Sequence, residues 1–113
     1  MRFFFGFLIT AFLLSDISMA KERQTFTGSI SLVGKSKSHY LELAKITLQE
    51  AVAIATKTTS GKVIEAALDK ENSFLVYEIE LVMPDHSRRE VLIDAGNGQI
   101  LLTKDVGNQQ DLE

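Results

Sequence analysis

The sequence predicts an α+β domain in which an N-terminal helix packs on an antiparallel β-meander of three to four strands, in two layers. Three observations predict it. Thr47 to Gly61 carries a helical apolar stripe behind a capping signal. Three runs between Lys62 and Ala95 alternate apolar and polar residues with period two. The connections between these runs are short and polar, which suits neighbouring antiparallel strands.

The helix has the clearest local grammar. Thr47 can accept an otherwise unpaired backbone N–H, and Glu50 stands three residues later, which is capping-box spacing. Leu48, Ala51, Val52 and Ala55 fill the i, i+3, i+4, i+7 positions of one face. Glu50 in the first turn and Lys57 in the last suit the helix dipole. Gly61 can end the element.

The strands follow. Lys62 to Asp69 places Ile64, Ala66 and Leu68 on one side, and Lys70-Glu71-Asn72 forms the next turn. Ser73 to Met83 places Leu75, Tyr77, Ile79, Leu81 and Met83 on one face, with Phe74, Val76, Glu78, Glu80 and Val82 on the other. Pro84 to Ser87 makes a turn, with Pro suited to its early position. Arg88 to Ala95 sets Val91 and Ile93 together and Leu92 opposite. For Ile79 and Leu81 to share the core with Val91 and Ile93, the loop after Met83 must have three or five residues and not four, because a one-residue slip inverts a strand. The helix stripe then covers the Tyr77–Ile79–Leu81 face. Asn97-Gly98 reads as a hairpin turn, since both residues tolerate positive φ, and Ile100 and Leu102 start a last strand.

Upstream, residues 21–46 form an arm. Phe26, Gly28, Ile30 and Leu32 alternate thinly, as a short strand would, and Ser36 to Ala44 fits a short helix or turn. Residues 1–20 read as a secretory signal: Arg2, an uncharged run from Phe3 to Leu14, then Ser18 and Ala20 as small residues before a cut. That run is too short to span a membrane. Residues 47–104 are the domain proper and 105–113 a polar tail.

Composition narrows the function. Without the first twenty residues the chain has 93 residues and keeps the net charge of −3 of the full sequence. Its Lys and Arg are scattered, which argues against nucleic acid as a partner. The absence of cysteine excludes disulfides, thiolate metal sites and a lipoprotein anchor.

A calcium loop starting at Asp94 would place Gly96 and Gly98 at ligand positions, so Asp94 is better read as bonding the turn's own backbone. His39 and His86 lie on different loops without a spaced partner for zinc. Glu78 and Glu80 share a sheet face with no apolar pocket to raise a pKa, and Arg89 or Lys62 could pair with them. Nothing resembles a nucleophile motif. No catalytic residue, cofactor or metal is therefore expected. The apolar residues on the outer sheet face, Phe74, Val76, Val82 and Leu92, are the candidate partner-binding surface, unless the arm residues Phe26, Ile30 and Leu32 cover them.

Three motifs in order carry a family resemblance: Ile46, Thr47, Ala51 and Ala55 in the helix; Tyr77, Ile79 and Leu81 in the central strand; and Ile93, Asp94, Ala95, Asn97, Gly98, Ile100 and Leu101 at the close. In this the chain resembles the PepSY domain family from about Lys45 to Lys104. The Met83 to Arg89 stretch departs from the plainer turn of many members. The resemblance implies a small exported domain, periplasmic or secreted, and brings no catalytic residues. It also implies a role in binding and modulating another protein, such as inhibiting a peptidase, since the domain occurs in propeptides of thermolysin-like metallopeptidases. The alternative is a periplasmic sensing or small-ligand-binding module.

Overall fold

The computed structural model describes residues 25–107. The expected signal at residues 1–20, the first residues of the arm and most of the tail lie outside the described residues. The architecture is α+β. A 3-10 turn at Lys37–His39 runs into a one-turn helix, α1 (Tyr40–Leu43), followed by α2 (Leu48–Lys57). Four strands follow, β1 (Lys62–Glu71), β2 (Phe74–Val82), β3 (Arg88–Asp94) and β4 (Ile100–Val106). They form one antiparallel sheet in the order β1-β2-β3-β4.

Helix α2 starts where its cap dictates. Thr47 Oγ1 accepts the Glu50 backbone N–H at 3.0 Å, and Glu50 Oε1 accepts that of Thr47 at 2.8 Å. Both halves of the capping box are thus made. The face turned to the sheet is built from small residues: Ala51 and Ala55 are fully buried, with Val52 and Ile54 packed beside them. Leu48, placed in the stripe by spacing, lies partly out of it. The core beneath is Leu75, Tyr77, Ile79 and Leu81 of β2 with Val91 and Ile93 of β3. Leu32 and Tyr40 close one end of it. The Tyr77 hydroxyl donates to the Ile46 carbonyl at 2.9 Å, fixing the segment before α2 to the sheet.

The register between β2 and β3 sets Ile79 opposite Val91 and Tyr77 opposite Ile93. The loop between them is odd, but it takes in Met83, expected in the strand, and runs over the five residues Met83 to Ser87. Asp85 organises it by accepting both the backbone N–H (3.0 Å) and the hydroxyl (2.6 Å) of Ser87. Those bonds hold the Asp85 carboxyl below its usual range. His86 takes a φ of 71° in the same loop.

Three local expectations are corrected. A β-bulge between Val63 and Glu65 puts Val63 on the core face and leaves Ile64 55% exposed, so strict alternation from Ile64 fails. The β1–β2 turn is Asn72-Ser73, not Lys70 to Asn72. Both residues have positive φ (50° and 71°), and Glu71 pairs directly with Phe74, so the tight primed hairpin sits here. At Asn97-Gly98 only Gly98 has positive φ (79°), inside a wider loop where its N–H donates to the Asp94 carbonyl at 2.9 Å.

Among the described residues the arm makes a single bridge instead of a strand, Ser31 opposite Phe74. Leu32 N–H donates to Ser73 O at 2.8 Å, and Leu75 N–H to Ile30 O at 3.0 Å. Gly28 lies so close to Phe74 that an added methyl would sit 2.8 Å from its Cβ, leaving room for glycine alone.

Candidate functional site

Alternation along the four strands gives the sheet an outer face, away from α2. It carries Glu65, Ala67, Asp69 and Glu71 of β1, the even-numbered residues of β2 from Phe74 to Val82, and Arg88, Glu90, Leu92 and Asp94 of β3. The candidate partner-binding residues do lie on this one face, but they are not an open patch. Val76 is fully buried and Leu92 is 3% exposed, while Phe74 and Val82 are half-buried. At the edge of this face the arm is seated against Phe74, with Gly28 in close approach. Ile30 and Leu32 do not spread over that face. Both pack against the core on the helix side, with Leu32 buried.

The face is dominated by carboxylates. Glu65, Glu78, Glu80 and Glu90 surround one shallow depression. Asp69, Glu71 and Glu78 bring their oxygens within 4.8 Å of one another, the spacing at which hard oxygen ligands could hold a cation. The register assembles this group from residues that sequence distance separates. Asp69 and Glu71 share a face at i, i+2, and Glu78 stands on the next strand opposite Ala67. Partial burial, with the carboxyls of Glu90 and then Glu71 alongside, pushes the Glu78 carboxyl up to about 8. The expectation that nothing on this face raises a pKa is therefore corrected: partial burial does so first, and the neighbouring carboxyls add to it.

Basic partners stand at one end. Arg88 Nη1 lies 2.9 Å from Glu80 Oε2, and its Nη2 donates to the Gly107 carbonyl at 2.8 Å. Lys104 Nζ is 3.4 Å from Glu90 Oε1. Arg89, expected beside Glu80, faces the other way and pairs with Asp105 at 3.2 Å. His39 and His86 are both exposed, and His39 Nδ1 is 3.0 Å from Ser36 Oγ.

Asp94 is the buried carboxylate of the described residues, 1% exposed. It accepts Ser29 N–H at 2.8 Å, Ser29 Oγ–H at 2.7 Å and Gly96 N–H at 2.7 Å. The Gly96 bond is the turn contact that its sequence position suggests. The Ser29 pair ties the arm to the closing loop, a role no local pattern signals. Asp94 is thus a structural tie between the arm and the closing loop.

A second feature lies on the helix side. Leu41, Ala44, Lys45, Ile46, Thr47 and Leu48 face Ala66, Leu68 and Tyr77 across a groove of about 490 Å³. Leu41 is 79% exposed at its rim. Sequence reading missed it, because it forms where the α1–α2 connection meets β1.

The comparisons with known proteins agree with this architecture. The family model described as "Peptidase propeptide and YPEB domain" (PepSY) matches residues 45–104, which run from the α1–α2 connection into β4. The protein YkoJ of Bacillus subtilis (strain 168) is 37% identical over 60 residues, 53% of this chain and 35% of that protein. The matched stretch is thus about a third of that relative's length. No solved structure matches. No helix among the described residues is long and apolar enough to cross a membrane. With the capped helix, the first three strands, the closing Asp94 loop and the start of β4 inside the matched stretch, the chain belongs to the PepSY family.

Proposed function

We propose that this chain is an exported, non-enzymatic PepSY protein that binds another protein and modulates it, with a peptidase as the partner it inhibits. The observation that carries the reading is the family match, whose description names peptidase propeptides and which spans helix and sheet together. The carboxylates of the outer face support it, because most are only half-buried and act as a charged surface instead of an acid–base pair in a cleft.

The test uses the chain from Lys21 onward, added to a panel of extracellular metallopeptidases. Dose-dependent inhibition of at least one, with co-elution of the two proteins, is the expected result. No inhibition and no co-elution across the panel overturns the reading. Sequencing the N-terminus of the chain recovered outside the cytoplasm checks the export step, and Lys21 is the expected first residue.

A further inference from the structure

We propose that the free edge of β1 is a docking site for an extended segment of a partner protein that alternates basic and apolar residues. The proposal deepens the function proposed above by naming where and what the chain grips.

The edge has unused backbone groups at a defined place. Leu75 points its N–H at Ile30 O (3.0 Å) and its carbonyl at Ala95 N–H (3.1 Å), both away from β1. Leu75 and its partner Lys70 are therefore a non-hydrogen-bonded pair of the β1–β2 ladder. In agreement, the Lys70 N–H donates to Asp69 Oδ1 at 2.7 Å. Pairs alternate along an antiparallel ladder, and the register runs without a break from Glu65 to Glu71. Leu68 opposite Tyr77 and Ala66 opposite Ile79 then belong to the same class. The N–H and C=O groups of Ala66 and Leu68 point outward, and among the described residues β1 pairs with β2 alone.

Those two residues also line the groove on the helix side. A strand laid against β1 would direct the side chains beside Ala66 and Leu68 into that groove, between Leu41, Ala44, Ile46 and Leu48. These positions call for apolar residues. The positions beside Glu65 and Asp69 fall on the outer face, next to Glu71 and Glu78, and call for Lys or Arg. Small Ala67 sits at the centre. The segment reads basic, apolar, small neutral, apolar, basic, and the pattern holds in either direction. A second copy of this chain fits poorly. Centred on Ala67, an antiparallel pair would set Glu65 against Asp69 twice, and like charges directly opposite destabilise a sheet.

The probe is the peptide acetyl-Lys-Leu-Ser-Leu-Lys-amide, titrated into isotope-labelled chain and followed by NMR. Saturable shifts at the amides of Ala66, Leu68 and Leu41 are expected, with slower hydrogen exchange at the first two. Ala66→Pro removes an outward N–H without touching the β1–β2 ladder, and Leu41→Glu places charge in the groove. Each weakens binding about tenfold, the effect of roughly one lost hydrogen bond or apolar contact. Glu65→Lys with Asp69→Lys shifts the preference to a second peptide, acetyl-Glu-Leu-Ser-Leu-Glu-amide. The proposal is overturned by the absence of saturable shifts, by shifts that map elsewhere, or by unchanged affinity in a folded Ala66→Pro chain. Crosslinks joining β1 to β1 of a second copy overturn it equally. A peptidase inhibited as well by Ala66→Pro as by the natural chain sinks the docking site and leaves the proposed function standing. A chain that grips the peptide but inhibits no peptidase does the reverse.

Discussion

The hydroxyl of Ser29 lies 2.7 Å from Oδ1 of Asp94, a bond between residues 65 apart in sequence. Through it the arm, the central strands and the last loop share one carboxylate. Removing that carboxylate strands three donors, Ser29 N–H, Ser29 Oγ–H and Gly96 N–H. Asp94→Ala should cost about 3 kcal/mol, because three hydrogen bonds to one buried carboxylate are lost together. That corresponds to a melting temperature lower by about 15 °C for a domain this small. Ser29→Ala should cost about 1 kcal/mol. Thermal unfolding that leaves Asp94→Ala level with the natural chain would refute the tie.

Helix α2 approaches the sheet on two methyl groups, Ala51 and Ala55. No volume is spare there. Ala51→Leu should destabilise the chain by about 2 kcal/mol through overpacking, and Ile79→Ala by about 3 kcal/mol through the cavity it opens. Urea unfolding of each variant measures both. If Ala51→Leu is as stable as the natural chain, the close seat of the helix is misplaced.

Thr47 and Tyr77 hold the start of the same helix by different means. Thr47→Ala should cost about 1 kcal/mol by removing the cap. Tyr77→Phe should cost about 1 kcal/mol by orphaning the Ile46 carbonyl. The residues share no bond, and the double variant should show the sum of the two losses. A double variant no worse than either single one would show that they act as one unit.

Glu78 makes stability depend on pH. Its folded value, about 8, lies above the 4.5 of an ordinary glutamate. The folded chain therefore holds a proton that the unfolded chain releases between those two values. The stability that proton brings is full at low pH and is lost as pH rises toward 8. Glu78→Gln should flatten this slope and leave the chain more stable than its parent above pH 8. Urea midpoints at pH 5 and pH 8.5 for both proteins decide it. Parallel losses in the two would show that Glu78 does not carry the effect.

Much of this was legible in residue order, and particular residues show why the rest was not. Thr47 and Glu50 act on each other across three positions, so their box could be read directly. The odd β2–β3 loop followed from core faces having to agree across a pair. The bulge at Ile64 could not be read, because a bulge inserts a residue that alternation cannot count. Asn97-Gly98 has better turn residues than Asn72-Ser73, yet the tight turn fell at the latter, where the strands meet in direct register. Ser29 with Asp94, the carboxylates around Glu78 and the groove at Leu41 all join distant segments. Each exists only once the strands have been put side by side.

The order of closure has a kinetic consequence. Every strand in the meander pairs with its sequence neighbour, so the sheet can zip from the Asn72-Ser73 hairpin outward through short loops. The bond from Ser29 to Asp94 is different, since its acceptor lies at the end of the third strand. A chain that emerges from its N-terminus presents the donor long before the acceptor exists. The arm can pair with Ser73 and Leu75 once the second strand is made, but its anchor to Asp94 waits until the third strand is in place.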